Sequence, residues 1–159
     1  PNLDVEKIAQ HIALEKAKAV KTYVGEAFHH QYTHQPILAA DTIVVLDDLV
    51  IGKPENKEQA IETLQKLQGR EHRVITGVAI LFEEATHVFA DVTKVHFHAL
   101  TNEQIEHYVS KYQPYDKAGA YAIQEWIGVV GIAGIEGDFY NVMGLPISRV
   151  VQTLQQLNY

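Results

Sequence analysis

Residues 37–46 have the sequence ILAADTIVVL, an apolar run rich in β-branched side chains. Its length and composition predict a strand that is buried on both faces, and we expect it to be the central strand of a sheet. Asp41 does not fit this setting, because an isolated ionised carboxylate is costly inside a protein. The carboxylate must be paired, bound to a metal ion, or placed where the strand opens into a cleft. From position alone, the bracing of a neighbouring loop is an equally good explanation.

Helices and further strands are predicted on both sides of this strand. Apolar residues recur every three or four positions over residues 5–24, which predicts a long amphipathic helix capped by Asn2 or Asp4. The other predicted elements are a short strand at 49–52, a helix at 55–69, paired strands at 74–82 and 88–100, a helix after a Thr101–Gln104 capping box, a strand and loop in the glycine-rich residues 128–137, and a helix at 145–157. This mixture indicates an α/β or α+β fold with a mixed sheet, and the α/β class is the one we expect.

The composition is that of a packed globular protein and suits one domain, since 47% of the 159 residues are hydrophobic and 21% are charged. No run is long enough to span a membrane and no cysteine is present, so a cytoplasmic location is the default expectation. A net charge of −7 argues against a broad nucleic-acid-binding surface. An anionic substrate would have to be held locally, by a few lysines or by a divalent cation.

Two lysines stand in unexpected places. Lys16 falls on the apolar stripe of the first helix, where lysines are uncommon, and Lys53 ends the short strand just before a proline. Taken singly, Lys16 is explained by an ammonium group that reaches solvent along its aliphatic stem, and Lys53 by an ordinary loop. If both cations converge with Asp41 at one end of a strand, the three residues would form a site for a polyphosphate and its metal ion. We hypothesise that they do.

Other motifs give weaker indications of function. The common phosphate-loop, dinucleotide-binding, nucleophile-elbow and zinc-protease signatures are absent. His29, His30 and His34 resemble a metal cluster, but their polar surroundings and the lack of suitably spaced carboxylates favour a solvated loop. Gln124 ends the segment KAGAYAIQ (117–124) and offers both a hydrogen-bond donor and an acceptor, as is needed to recognise the edge of a nucleobase. The start of a core helix is the structural alternative for this segment.

Four segments in order and register resemble the Maf family of nucleotide pyrophosphatases, which is named for inhibition of septum formation. They are AADTIVVLDDLVIGKP (39–54), LQKLQGREHRVITGVAI (64–80), YDKAGAYAIQ (115–124) and NVMGLP (141–146). The resemblance covers essentially the whole chain. It implies an elongated, mixed, twisted sheet flanked by helices, in two lobes around a central cleft, as in the related inosine-triphosphate pyrophosphatases. It also implies hydrolysis of nucleoside triphosphates to the monophosphate and pyrophosphate with Mg²⁺ or Mn²⁺.

The resemblance assigns roles by position. Asp41 is expected to be the catalytic proton acceptor and a metal ligand, while Lys16 and Lys53 are expected to bind phosphates. Thr42 and Gln124 match positions linked to the choice of base. DKAGAYAIQ (116–124) is similar to the branch that acts on dTTP and UTP, so these nucleotides, or modified pyrimidine nucleotides, are the expected substrates.

The sequence departs from the family pattern at two places. It starts with PNLDVEK, beyond the opening strand and Ser-x-Ser-x-Arg-Arg loop of the family, so we expect one Maf-like domain over residues 1–159 without them. Glu125 and Trp126 stand where the family often has glycine. Two other functions remain open: a nucleotide-binding regulatory module of cell division with weak hydrolysis, and a pyrophosphatase that removes ITP or XTP. The expected partner is a nucleoside triphosphate, without nucleic acid or membrane, and a homodimer is compatible with the sequence.

Overall fold

The computed structural model describes residues 4–28, 32 and 34–159, which form one five-stranded sheet flanked by helices. The elements in chain order are α1 (Val5–Ala27), β1 (Ile37–Leu46), β2 (Leu49–Ile51), α2 (Lys57–Leu67), β3 (Glu71–Phe82), β4 (Ala85–Phe97), α3 (Asn102–Tyr112), a 3₁₀ turn (Ala118–Ala120), α4 (Trp126–Gly131), β5 (Ile132–Glu136), α5 (Phe139–Met143) and α6 (Ile147–Gln156). None of the described helices is long and apolar enough to cross a membrane. The histidines His29 and His30 lie outside the described residues.

The strand order in the sheet is β2-β1-β3-β4-β5, and every strand pair is antiparallel. The prediction of a mixed sheet is therefore wrong for the described part of the chain. β1 and β2 form a hairpin, and α2 then returns the chain to the other side of β1, where β3 runs antiparallel to it. The central strand is β3 rather than β1, and its near-continuous burial agrees with that position.

The two halves of β1 have different surroundings. Residues 43–46 are buried, whereas residues 37–42 are only partly buried or exposed. β2 pairs with β1 only at residues 44–46, while β3 pairs along almost its whole length. On the side of β1 away from β3, residues 37–43 thus have no strand neighbour within the described part of the chain. The predicted burial on both faces is right only for the second half.

Helix α1 packs on one face of the sheet through small side chains. The residues of its buried stripe are Val5, Ala9, Ala13 and Ala17. Gly77 of β3 lies so close that a Cβ atom there would come within 2.2 Å of the Ala9 backbone. Lys16 lies beside this stripe rather than in it, so its predicted inward position is wrong. Within the apolar pattern that predicted this helix over residues 5–24, the alanines make the contact as predicted, whereas Val20 is exposed.

The opposite face of the sheet carries the larger core. Helices α2 and α3 pack there together with residues 120–127. The predicted capping box of α3 is confirmed, because Thr101 accepts from the Gln104 amide and Gln104 accepts from the Thr101 amide. At the start of α1, Asp4 accepts from the Lys7 amide, as predicted, and Asn2 lies outside the described residues. The glycine-rich region contains the short helix α4 before its strand, where only a strand and a loop were predicted.

Candidate active site

The partly covered half of β1 lines a cavity. Successive side chains of a strand point to opposite faces, yet both Asp41 and Thr42 line this cavity, which therefore lies along the strand edge and is reached from both faces. Lys16 reaches it from α1, and Lys53 and Gln124 reach it from segments that follow β2 and the 3₁₀ turn. The five residues selected from the sequence thus line one cavity. Their individual roles stay predictions.

Asp41 is paired with Lys16, whose Nζ atom lies 2.7 Å from Oδ1 of the carboxylate. The Asp41 side chain is 19% exposed and that of Lys16 is 52% exposed, so the pair is open to solvent on the lysine side. Such a partly exposed ion pair contributes little to stability. Oδ2 of Asp41 makes no hydrogen bond to any described residue. The ion pair explains how a carboxylate is tolerated in this strand. Oδ2 remains available to a ligand in the cavity.

The backbone just before Lys53 contacts a second segment of the cavity wall. The carbonyl of Gly52 accepts a hydrogen bond of 3.2 Å from the Gly119 amide. Gly119 has a φ of +74°, and a Cβ atom there would lie 2.9 Å from the Val44 side chain, so both its conformation and its position favour glycine. This contact fixes the 3₁₀ turn against the end of the β1–β2 hairpin.

A second ion pair lies at the cavity, between two residues to which the sequence analysis assigned no site role. Asp116 and Lys117 both line the cavity, with 3.3 Å between Nζ and Oδ2. Together with Lys16, Lys53 and Asp41, they give the cavity three cations and two carboxylates. The signal was available, since both residues belong to the motif YDKAGAYAIQ (115–124), but a charged pair in a loop is commonly a solvated one.

The wall beside Thr42 is built by a network of buried hydroxyl and amide groups. Thr42 Oγ1 lies 2.8 Å from Thr76 Oγ1, which in turn donates to the backbone carbonyl of Asn141 at 3.2 Å. The Asn141 side chain is fully buried, and its Nδ2 lies 3.0–3.2 Å from Thr93 Oγ1 and from the carbonyls of Val74 and Asp91. These contacts anchor α5, whose end supplies Met143 and then Gly144 to the cavity. Sequence reasoning missed Thr76 and Asn141.

The segment that ends at Gln124 is fixed by two tyrosines. The hydroxyl of Tyr121 lies 2.6 Å from Nε2 of His72, and the hydroxyl of Tyr108 accepts from the Ala122 amide and donates to Glu125. Burial lowers the pKa of His72 to about 4, so its ring is neutral at pH 7. Burial also raises the pKa of the Tyr121 phenol, which stays protonated. Gln124 itself is exposed at the cavity, where its amide is available to a ligand.

A possible metal-binding group lies elsewhere. Glu71, His96 and Glu136, on three adjacent strands, place ligand atoms within 4.8 Å of one another. None of the three lines the cavity of Asp41. His96 Nε2 lies 3.4 Å from a Glu71 oxygen and 3.7 Å from a Glu136 oxygen, distances that also suit an ordinary surface ion pair.

Comparisons with known proteins place the chain in one family. The family model described as "Maf-like protein" matches residues 1–157. A dTTP/UTP pyrophosphatase of Phocaeicola vulgatus is 44% identical over 155 residues, which cover 98% of this chain and 77% of the relative. A protein of the same name from Bacteroides thetaiotaomicron is 44% identical over 151 residues, covering 95% and 75%. Another, from Porphyromonas gingivalis, is 42% identical over 153 residues, covering 96% and 74%.

Proposed function

The chain belongs to the Maf family, and we propose that it is a nucleoside-triphosphate pyrophosphatase that hydrolyses dTTP and UTP to the monophosphate and pyrophosphate. One observation carries this proposal: Asp41, Lys16 and Lys53 line a single cavity. Relatives named dTTP/UTP pyrophosphatase, 42–44% identical over most of the chain, support the same reaction.

In the proposed mechanism, the free oxygen of Asp41 accepts a proton from a water molecule as that water attacks the α-phosphorus. A bond forms between the water oxygen and phosphorus, the bond to the bridging α,β-oxygen breaks, and pyrophosphate leaves with the bonding electron pair. Lys16 holds the other carboxylate oxygen at 2.7 Å, which orients Asp41 and places a cation beside the reacting phosphate. Lys53 and Lys117 supply positive charge to the departing pyrophosphate.

The donor chemistry of the cavity fits a divalent cation. Mg²⁺ and Mn²⁺ bind carboxylate and phosphate oxygens, and the cavity offers the carboxylates of Asp41 and Asp116. Asp41 would therefore hold the cation jointly with the substrate phosphates. When bound, the cation supplies further neutralisation of the phosphate charge.

We also propose the overall shape of the fold and the binding position of the nucleobase. The cavity is lined by α1 on one side and by residues 116–124 and 142–144 on the other, which supports two lobes with a cleft between them, as in inosine-triphosphate pyrophosphatases. We place the base against the wall formed by Thr42, Gln124 and Met143, because Lys16 contacts Asp41 and its charge draws the phosphates to that side of the cavity.

The experiment that tests this function measures pyrophosphate release from dTTP, UTP, CTP, dGTP, ITP and XTP with Mg²⁺ or Mn²⁺. The expected result is the highest kcat/KM with dTTP and UTP, and no turnover after chelation of the metal. Binding of nucleotides without release would instead indicate a regulatory module. A preference for ITP or XTP would indicate a purine-directed pyrophosphatase.

A matched pair of lysine variants tests the site itself. Lys16→Met removes the cation that contacts Asp41, and we expect kcat/KM for dTTP to fall by about 100-fold. Lys18→Met changes a neighbouring lysine of α1 that pairs with Glu15 and does not line the cavity, so it is expected to keep the rate. Equal rates in the two variants would contradict the proposed phosphate-binding role of Lys16.

A further inference from the structure

The hydroxyl of Thr42 has only one hydrogen, and the surrounding protein uses it. Thr42 Oγ1 lies 2.8 Å from Thr76 Oγ1 and 3.4 Å from the carbonyl oxygen of Gly144. Thr76 Oγ1 lies 3.2 Å from the carbonyl oxygen of Asn141. A threonine hydroxyl donates one hydrogen bond and accepts up to two, and a carbonyl only accepts. These rules leave three ways to place the two hydrogens.

In the first arrangement, Thr76 donates to the Asn141 carbonyl, and Thr42 donates to Thr76. In the second arrangement, Thr76 donates to Thr42, and Thr42 donates to the Gly144 carbonyl over the longer 3.4 Å contact. In the third arrangement, Thr76 also donates to Thr42, but Thr42 donates into the cavity; both of these arrangements give up the hydrogen bond from Thr76 to Asn141. The shorter distances favour the first arrangement. In this first arrangement the hydrogen of Thr42 points into the protein, because the Thr76 hydroxyl accepts it. The side of Oγ1 that faces the cavity therefore carries only lone pairs.

Burial makes this polarity a fixed property of the wall. Thr76 and Asn141 are 0% exposed, so exchange with water cannot reorient the Thr76 hydroxyl. The Asn141 carbonyl also accepts a hydrogen bond from the Gly144 amide at 3.1 Å. The Asn141 side-chain amide donates hydrogen bonds to backbone carbonyls of β3 and β4. The acceptor that orients Thr76 is thus held by a rigid part of the sheet.

We propose that Thr42 acts on the base as a hydrogen-bond acceptor only, and that Thr76 is the positioning residue that sets this polarity. An acceptor fits the N3–H group of uracil and thymine. It does not fit cytosine, whose N3 is itself an acceptor, so that two lone pairs would face each other. This inference rests on the proposed function and specifies how the same site separates uracil and thymine nucleotides from cytosine nucleotides.

The experiment compares kcat/KM for UTP and for CTP in the wild-type chain and in Thr76→Val. Valine has nearly the shape of threonine but cannot accept the hydrogen of Thr42, which becomes available to N3 of cytosine. We expect the UTP-to-CTP ratio to fall by about tenfold or more, since this change removes one discriminating hydrogen bond. Thr76→Ser restores the hydroxyl and is expected to restore the ratio.

Thr93→Val is the matched control. Thr93 is also fully buried, contacts the Asn141 side chain and donates to the Asp138 carbonyl, but it makes no contact with Thr42. Both valine variants remove one buried hydroxyl next to α5, so they are expected to lose similar stability. Only Thr76→Val is expected to change the ratio, and a ratio does not depend on the fraction of folded protein.

The outcomes distinguish the role of Thr76 from the proposed function of the chain. A wild-type chain that prefers UTP to CTP, with an unchanged ratio in Thr76→Val, overturns the role of Thr76 and leaves the proposed function intact. An equal change in Thr93→Val also overturns it, because general loosening of the wall would then explain both. A wild-type chain that releases no pyrophosphate from UTP or dTTP refutes the proposed function, and this inference with it.

Discussion

The two halves of β1 show how one strand serves two purposes. Residues 43–46 lie between β2 and β3 and are buried, whereas residues 37–42 have β3 on one side and the cavity on the other. The polar residues of the strand, Asp41 and Thr42, stand just before this boundary, where the pairing with β2 ends. A carboxylate is tolerated at Asp41 because a neighbouring strand is missing there and Lys16 reaches it. Substitutions in the first half should therefore affect the reaction, and those in the second half should affect stability.

The largest expected effect is that of Asp41→Asn in the first half. The amide keeps the size of the carboxylate but accepts no proton, so kcat for dTTP should fall about 100- to 10 000-fold. The free energy of unfolding should change by less than about 1 kcal/mol, since the lost ion pair is partly exposed. Assays of pyrophosphate release and urea unfolding measure the two quantities. Asp48→Asn in the exposed β1–β2 turn is the control, and near-normal turnover of dTTP by Asp41→Asn would refute the role of the carboxylate.

Gly77→Ala tests whether the two halves are independent. Gly77 is the β3 partner of Asp41, and a Cβ atom there would overlap the Ala9 backbone. Because backbone atoms cannot rotate away, α1 must shift, at a cost of about 3 kcal/mol in unfolding free energy. The Lys16–Asp41 distance changes with it, so kcat should fall as well. Gly134→Ala, where a Cβ atom would meet nothing within 4 Å, is the control. Loss of stability with an unchanged kcat would show that helix position does not govern the site.

Val45→Ala tests the buried half. Val45 is 1% exposed, and removal of two methyl groups from the core should lower the unfolding free energy by about 2 kcal/mol. The kcat/KM of the folded protein should stay within about twofold of wild type, because Val45 does not line the cavity. Leu38→Ala, in the exposed part of the first half, should cost less than about 1 kcal/mol. Similar losses in both variants would remove the distinction between the halves.

The smallest expected effect is a pH dependence of stability from His72, which belongs to the core under the second half of β1. Its pKa is about 4 in the folded protein, because burial disfavours the charged ring, and near its ordinary 6.5 in the unfolded chain. The unfolded chain therefore binds a proton that the folded protein does not. Stability is lost as the pH falls from about 6.5 towards 4, with about 1 kcal/mol lost between pH 7 and pH 5.5.

His72→Gln keeps a polar partner for Tyr121 and removes the titration. Urea unfolding at pH 7 and pH 5.5 should show that the variant lacks this part of the decline. If wild type and variant lose the same stability over this interval, His72 is not the responsible group.

Local patterns in the sequence predicted most elements of the fold, whereas relations between distant segments were predicted less well. The 3.6-residue periodicity and the Thr101 capping box locate helices, since both depend on neighbours in the chain. Strand direction and the central position of β3 depend on which segments meet after folding. Asp41 could be selected because a carboxylate is unusual in an apolar strand, whereas Lys16 was selected on an inward placement that is wrong. Thr42 was selected through the family resemblance alone. Thr76 could not be selected, because a threonine in a strand is ordinary and its significance comes only from Thr42 and Asn141.

The small side chains between α1 and the sheet have an entropic consequence. Alanine and glycine have no rotamers to lose on burial, so Ala9, Ala13, Ala17 and Gly77 form their contact without the ordering cost that larger side chains carry. The same absence of rotamers removes alternative ways to fill the interface. The distance between α1 and the sheet is then set by contact between two backbone surfaces. Rotamer exchange at this contact therefore cannot change the position of Lys16 relative to the strand.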